Sequence, residues 1–561
     1  MRRHVFALVL LGAVPGAALA QENVDLATIH RIKDEAFLGS HVIDHLFYLT
    51  DVNGPRLTNS PGFRAAADWS VRRLKEWGVS SARTEKWGTF GRGWSLARFS
   101  AHMKEPVYAP LSGIPKAWSA ATPGPLTADV VSAPLFTPRE DADRFDLPKV
   151  TERIQRYSAD EKGKLRGRIV LIEPARELTP PTAPPSERYD DKKLADVAAA
   201  PEPFPAPPLE WPVTRLSDDP KKRWEIFEAY PAEVLWDYAA RIDRAYDRLN
   251  AFLHDEGAAA VLSTDQRGAG GILFAEKAGL WGPDAAPPPV WVVLQPEAYY
   301  RLDRLVARHV PVKVELDVAA TFHDDATDGI NVIAEIPGGR KKDEVVMLGA
   351  HLDSWHAGTG ATDNAAGCAV ALEAMRILTA LSLPMDRTVR LALWSGEEQG
   401  LYGSRGYVKE HFGDPVTMAF KPEHAKLAAY FNVDNGTGKI RGVYLQGNDM
   451  VRPIFESWLA PFRDLGAATL TIRNTGGTDH QSFDDLGLPG FQFIQDPLDY
   501  GSRTHHSNLD VYDHVVPADL MQASAILASF VYDAATRPDM LPRKPRPKPL
   551  PKPPGETPAA R

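Results

Sequence analysis

The chain has 561 residues, 44% of them apolar and 24% charged, with a formal net charge of −9. That length exceeds one core of ordinary size, so two or more domains are expected. Basic residues gather at the two ends and leave an acidic body, which argues against nucleic acid as the main partner.

Arg2, Arg3 and His4, the apolar run Val5 to Val14, and Ala18-Leu19-Ala20 read as an export signal over 1–20. The run is too short to span a bilayer, and no later stretch is long and apolar enough. The expectation is an exported protein, periplasmic or secreted, with no stable membrane anchor. The only cysteine, Cys368, lies inside a helical pattern and reads as a small buried residue. Stability must then come from core size, because no internal disulfide is available.

Val24 to Tyr48 and Ala65 to Trp77 have helical apolar spacing, with a turn-rich loop from Asp51 to Gly62 between them. Trp87, Phe90, Gly91, Gly93 and Trp94 mark a packed surface or cleft edge. From Ala128 short β-type runs appear: 129–131, 168–172, 258–262, 290–294 and 312–316. A Pro-rich loop from Thr179 to Pro212 and a helical stretch from Pro220 to Glu256 interrupt them. This predicts a separate α/β module over 128–322, inserted between 21–127 and 323–540.

From Asp328 onward, strand-like runs at 330–336, 345–348, 389–394, 427–433 and 442–446 are interspersed with helical runs at 365–381, 451–465 and 517–535. The expected fold class is α/β, a mixed and mostly parallel sheet flanked by helices. The Pro- and Lys/Arg-rich tail, 541–561, is expected to be extended and disordered.

Four polar groups fall at or just beyond strand ends, where open α/β sheets bind ligands. They are His351-x-Asp353 with Asp363, then Glu397-Glu398, then Asp434, then His505-His506. Alone, each has a bland reading as a solvated face, a turn or a cap. Together they offer imidazole and carboxylate donors only, which suits zinc or a similar divalent ion. Five ligands are too many for one tetrahedral ion and suit two ions sharing a carboxylate.

The motifs Ala350-His-Leu-Asp-Ser354, Thr362-Asp-Asn-Ala-Ala-Gly367, Trp394-Ser-Gly-Glu-Glu-Gln-Gly-Leu-Tyr-Gly-Ser404, Val433-Asp434 and His506-Ser507 resemble the co-catalytic zinc aminopeptidases, a family that includes carboxypeptidase Q-like members. The stretches 53–62 and 85–94 look like the latter branch, and 128–322 resembles a protease-associated domain. The resemblance implies a zinc-exopeptidase (phosphorylase/hydrolase-like) fold, a peptide substrate, two Zn2+ or other divalent ions per chain, and a homodimer. It implies that His351 and Asp434 hold one ion, Glu398 and His506 the other, and that Asp363 bridges them. Glu397 would be the general base toward a metal-bridging water. Asp353 would accept the other N–H of His351. His480, in Gly477-Thr-Asp-His480, and His505 are candidates for substrate contact. Two other readings remain open: a non-catalytic receptor or scaffold on the same fold, and a glutaminyl-cyclase-like acyl transferase.

Overall fold

The computed structural model describes residues 22–178, 182–203 and 211–551. The expected signal 1–20, part of the Pro-rich loop and the end of the tail lie outside the described residues. Among the described residues no helix is long and apolar enough to cross a membrane.

Two eight-stranded sheets organise the chain. The first has the order 83–89, 328–336, 387–394, 341–351, 427–432, 490–495, 440–444, 469–471. Its four central strands, Arg387–Trp394, Lys341–His351, Leu427–Asn432 and Gly490–Gln495, run parallel. The strands on either side pair antiparallel with them. The central strands are buried on both faces, which is why Val345 to Leu348 and Leu427 to Phe431 read as unbroken apolar runs rather than alternating ones. Helices Leu26–Leu38, Val42–Phe47, Pro61–Glu76, Ala366–Ala380 and Pro517–Thr536 cover one face. Tyr402–His411 and His480–Asp484 cover the other. Ser60 starts Pro61–Glu76 as its cap, its hydroxyl accepting from Phe63 N.

The second sheet has the order 109–110, 93–105, 313–323, 126–132, 169–171, 260–263, 291–294, 113–115. Gly93–Glu105 pairs along its length with Lys313–His323. The strands of this second sheet lie between 93 and 323, and residue 128, the expected start of the module 128–322, falls inside the strand Leu126–Ser132. Helices Pro220–Ala229 and Ala232–Asp255 occupy the stretch expected to be helical. The tail is extended through 551 yet seated on the fold. Leu541 is buried, Arg543 donates to the carbonyls of His424 and Leu427, and Lys544 pairs with Asp484. Proline and arginine composition predicted solvation; specific carbonyl and carboxylate partners hold the segment down instead.

Candidate metal centre

Each candidate ligand follows the carboxyl end of a central parallel strand. His351 ends Lys341–His351 and stands beside Trp394, which ends the next strand. Glu397 and Glu398 come three and four residues after Trp394. The turn between them needs Gly396, at φ +65°. Asp434 lies two residues beyond Asn432. Asp363 precedes the helix Ala366–Ala380, whose first turn packs directly on the Asp434 strand end. A Cβ at Gly367 would stand 2.2 Å from the Val433 carbonyl, so only glycine permits that approach. Asn364 adds to the seam, donating to Val433 O and accepting from Gly367 N. His506 sits in the long loop after Gly490–Gln495 with φ +62°, a left-handed conformation that a non-glycine residue adopts under constraint.

These side chains converge. His351 Nε2 is 3.1 Å from Asp363 Oδ1 and 3.4 Å from Asp434 Oδ1. His506 Nε2 is 3.0 Å from Glu398 Oε2 and 3.3 Å from Asp363 Oδ2. Glu397 Oε2 stands 3.8 Å from His351 Nε2. Buried Asp363 Oδ2 and Asp434 Oδ1 accept no hydrogen bond and face imidazole nitrogens instead. Buried acceptors of this kind are costly unless something cationic completes them. Three overlapping groups of donors lie close enough to hold an ion: His351, Asp363 and Glu398; His351, Glu397 and Asp434; and Asp363, His505 and His506. The donor set therefore fits two divalent cations.

The tautomers fit as well. His351 Nδ1 lies 2.9 Å from the backbone carbonyl of Asp353. A carbonyl only accepts, so Nδ1 carries the proton and Nε2 is left to ligate. The expected imidazole–carboxylate bond is not made: Asp353 Oδ1 is 3.8 Å from that nitrogen. Its carboxylate instead accepts from the backbone N–H groups of Glu397 and Glu398, both at 3.3 Å, beside the Thr58 hydroxyl at 2.9 Å from Oδ2. Asp353 thus holds the turn that aims both glutamates. On the other side, His506 Nδ1 is 2.9 Å from Glu276 Oε1, a carboxylate of the inserted module. The His506 imidazole beside it holds the Glu276 carboxyl well below the usual range.

Burial and crowding set the electrostatics. Burial, then the charges of Asp434, Asp479 and Glu398, push Glu397 well above its ordinary value. Burial and Asp363 push Glu398 up to about 8. Asp363 is burdened by burial yet pulled well below its ordinary value by His351 and His506. Carboxylates crowded in this way resist ionising together, a cost that a bound cation would relieve.

Two sequence candidates fare differently. His505 stacks on His506 with ring centroids 3.8 Å apart, and its Nε2 is 3.7 Å from Asp363 Oδ2, at the edge of the cluster. His480 is fully buried and bonds to the Thr475 carbonyl at 2.8 Å. Its ring is engaged with Thr475 and Gln446 rather than with any of the candidate ligands.

Sequence reasoning missed Glu276, which comes from the other module, and the buried Arg56. The Arg56 guanidinium donates to the carbonyls of Leu49, Leu352, Thr359 and Gly360, clamping the loop between His351 and Asp363. A signal existed for Arg56, since it lies in the Asn53-Gly-Pro-Arg stretch. None existed for Glu276. Cys368 behaves as expected: it is buried, its thiol donates to the His351 carbonyl, and burial pushes it up to about 12.

Residues 331–531 match the model of Peptidase family M28. Carboxypeptidase Q of Rattus norvegicus is 31% identical over 242 residues, covering 43% of this chain and 49% of that protein. Aminopeptidase YwaD of Bacillus subtilis is 30% identical over 207 residues, covering 36% of this chain and 43% of that protein. The matches thus span at most about half the length of these relatives. Among solved structures, a peptidase M28 precursor from Shewanella amazonensis superposes with a TM-score of 0.61 at 23% identity, covering 93% of this chain and 98% of that one. A zinc aminopeptidase from Bacillus subtilis gives 0.52 at 19% identity, covering 89% and 96%. These two establish the fold, a mixed sheet flanked by helices with a second sheet beside it. The segment 331–531 is thus similar in sequence to peptidase family M28, and the chain shares the fold of these two structures.

Proposed function

We propose that the chain is an exported exopeptidase that carries two zinc ions and hydrolyses peptide bonds next to a chain terminus. One observation carries the reading. Asp363 stands between two imidazoles, with Oδ1 3.1 Å from His351 and Oδ2 3.3 Å from His506. His351 and Asp434 would hold one ion, Glu398 and His506 the other, and Asp363 both. Bound there, the ions supply Lewis acidity toward the scissile carbonyl and toward water. The relatives named carboxypeptidase and aminopeptidase support cleavage at a chain end.

The chain's own residues do the rest. Glu397 is buried among other carboxylates, which raises its proton affinity. It takes the proton from the attacking water and delivers it to the leaving amine. Asp353 keeps Glu397 and Glu398 aimed differently by accepting from both of their N–H groups. The module 128–322 is read as protease-associated, and its contribution to the centre is Glu276 behind His506.

The test is Glu397→Gln. Metal content measured by elemental analysis should stay near two ions per chain, while peptide hydrolysis falls by about 10²-fold or more. Undiminished hydrolysis would remove Glu397 from its role. Absence of bound metal after gentle purification would favour the scaffold reading instead.

A further inference from the structure

Residues 56–60 are all buried and touch both halves of the candidate centre, although Thr58 lies 295 positions before Asp353 and 338 before Gly396. Both sheets hold this segment in place. Leu57 packs among Phe90, Trp94, Trp118, Trp281 and Trp355. Asn59 donates to the Gly91 carbonyl at 2.9 Å, and a Cβ on Gly93 would stand 2.1 Å from the Asn59 carbonyl. On the other side, Ser354 N donates to the Arg56 carbonyl at 3.2 Å and Arg56 N donates to Ser354 Oγ at 3.1 Å. A segment enclosed in this way can hold other groups in register, because its own side chains have little freedom to move.

Arg56 serves the loop between His351 and Asp363. Thr58 serves the other half of the centre. Its Oγ1 lies 2.9 Å from Asp353 Oδ2 and 2.7 Å from Gln399 Oε1, and it accepts from the Gly396 N–H at 3.2 Å. These three partners bracket the glutamate pair. Gly396 precedes Glu397, Gln399 follows Glu398, and the Asp353 carboxylate accepts from both glutamate N–H groups. The turn also closes on itself, with Gly400 N and Leu401 N donating to the Glu397 carbonyl at 2.8 and 2.9 Å. A hydroxyl offers one proton and two lone pairs, so a single oxygen can link a carboxylate, an amide and a backbone N–H. Without it the buried Gly396 N–H would lose its acceptor and the turn would lose its tie to residues 56–60.

We propose that Thr58 is a positioning residue for the Glu397–Glu398 turn. Its hydroxyl fixes Asp353, Gly396 and Gln399 relative to one another, so that the base and the neighbouring ligand keep their separate aims. Thr58 touches neither substrate nor metal and acts through the turn. The inference rests on the peptidase reading above and adds to it a residue from the far end of the chain.

The test compares Thr58→Val, which keeps the shape and removes the hydroxyl, with Thr58→Ser, which keeps the hydroxyl. In excess zinc, Thr58→Val should lower kcat for a peptide about tenfold to a hundredfold with KM within about threefold of wild type, whereas Thr58→Ser should hold kcat within about threefold. Glu398 shares the turn, so competition with a chelator should release one of the two ions about tenfold more readily from Thr58→Val and at the wild-type level from Thr58→Ser. If Thr58→Val does not fold, Thr58→Ala against Thr58→Ser makes the same comparison. Wild-type kcat and ion release in the variant without the hydroxyl, or an equal loss in Thr58→Ser, would overturn the assignment. If the wild-type chain cleaves no peptide, the peptidase reading falls and ion release still decides the role of Thr58.

Discussion

Asp353 is a residue whose chemistry differs from its first reading while its importance stands. Its carbonyl sets the His351 tautomer, and its carboxylate ties down both N–H groups of the glutamate pair. One side chain therefore links the two halves of the centre. Removing that carboxylate frees the Glu397–Glu398 turn and leaves two buried N–H groups without an acceptor. Asp353→Ala should lower kcat about 10²-fold and weaken metal binding about tenfold to a hundredfold, the range for residues that support ligands. Chelator competition and steady-state kinetics check this. Unchanged metal affinity would mean that Asp353 only packs.

At the scale of elements, the helix Ala366–Ala380 is held by a buried ionic cluster as well as by its apolar surface. Glu373 accepts from Arg376 in a bidentate pair, both distances 2.9 Å, and from the His41 backbone N–H at 3.0 Å; His45 Nε2 stands 3.1 Å away. The cluster joins this helix to Val42–Phe47. Arg376 extends it to Glu35 on Leu26–Leu38. Glu373 bears the cost of burial, but His45 and Arg376 more than offset it and bring it down to about 2. Burial drives His45 below its ordinary value, so it is neutral in the fold.

The signs of the two shifts agree. An unfolded His45 takes up a proton below about pH 6.5 that the folded one refuses, and Glu373 contributes stability above about pH 4.5 that is lost as pH falls toward 2. Stability should therefore decline from near neutrality downward and more steeply in the acid range. Glu373→Gln should cost about 3–5 kcal/mol at neutral pH, as breaking a buried pair does. It should also flatten the acid limb. Urea midpoints measured across the acid range check both effects; an unaltered acid limb would remove Glu373 from the account.

At the scale of the whole molecule, the candidate metal centre draws side chains from the parts of the chain that build both sheets. His506 is placed by a loop of the first sheet's domain, yet its Nδ1 proton is held by Glu276 from the second. The proposed site therefore includes a carboxylate from the second-sheet segment. Glu276→Leu should lower metal affinity about tenfold to a hundredfold with little loss of stability. Metal titration and thermal unfolding together separate these effects. An affinity equal to wild type would confine the insert to the role of a wall.

The sequence by itself determined the first domain's fold class and which polar side chains to propose as ligands at its strand ends. Unbroken apolar runs such as Val345 to Leu348 mark strands buried on both faces, and ligands at strand ends are legible because period and position are local properties. The strands Gly490–Gln495 and Arg83–Thr89 escaped notice because one is buried throughout and mixes Gly and Gln into its run, and the other is half-exposed, so neither carries a clean alternation. Only the tertiary structure decided which atom of Asp353 serves His351, how Glu276 reaches His506 across 230 positions of chain, and where the insert begins. Those are contacts between segments far apart in sequence. They depend on how two sheets pack and on which lone pair meets which proton, and a residue type alone does not encode that.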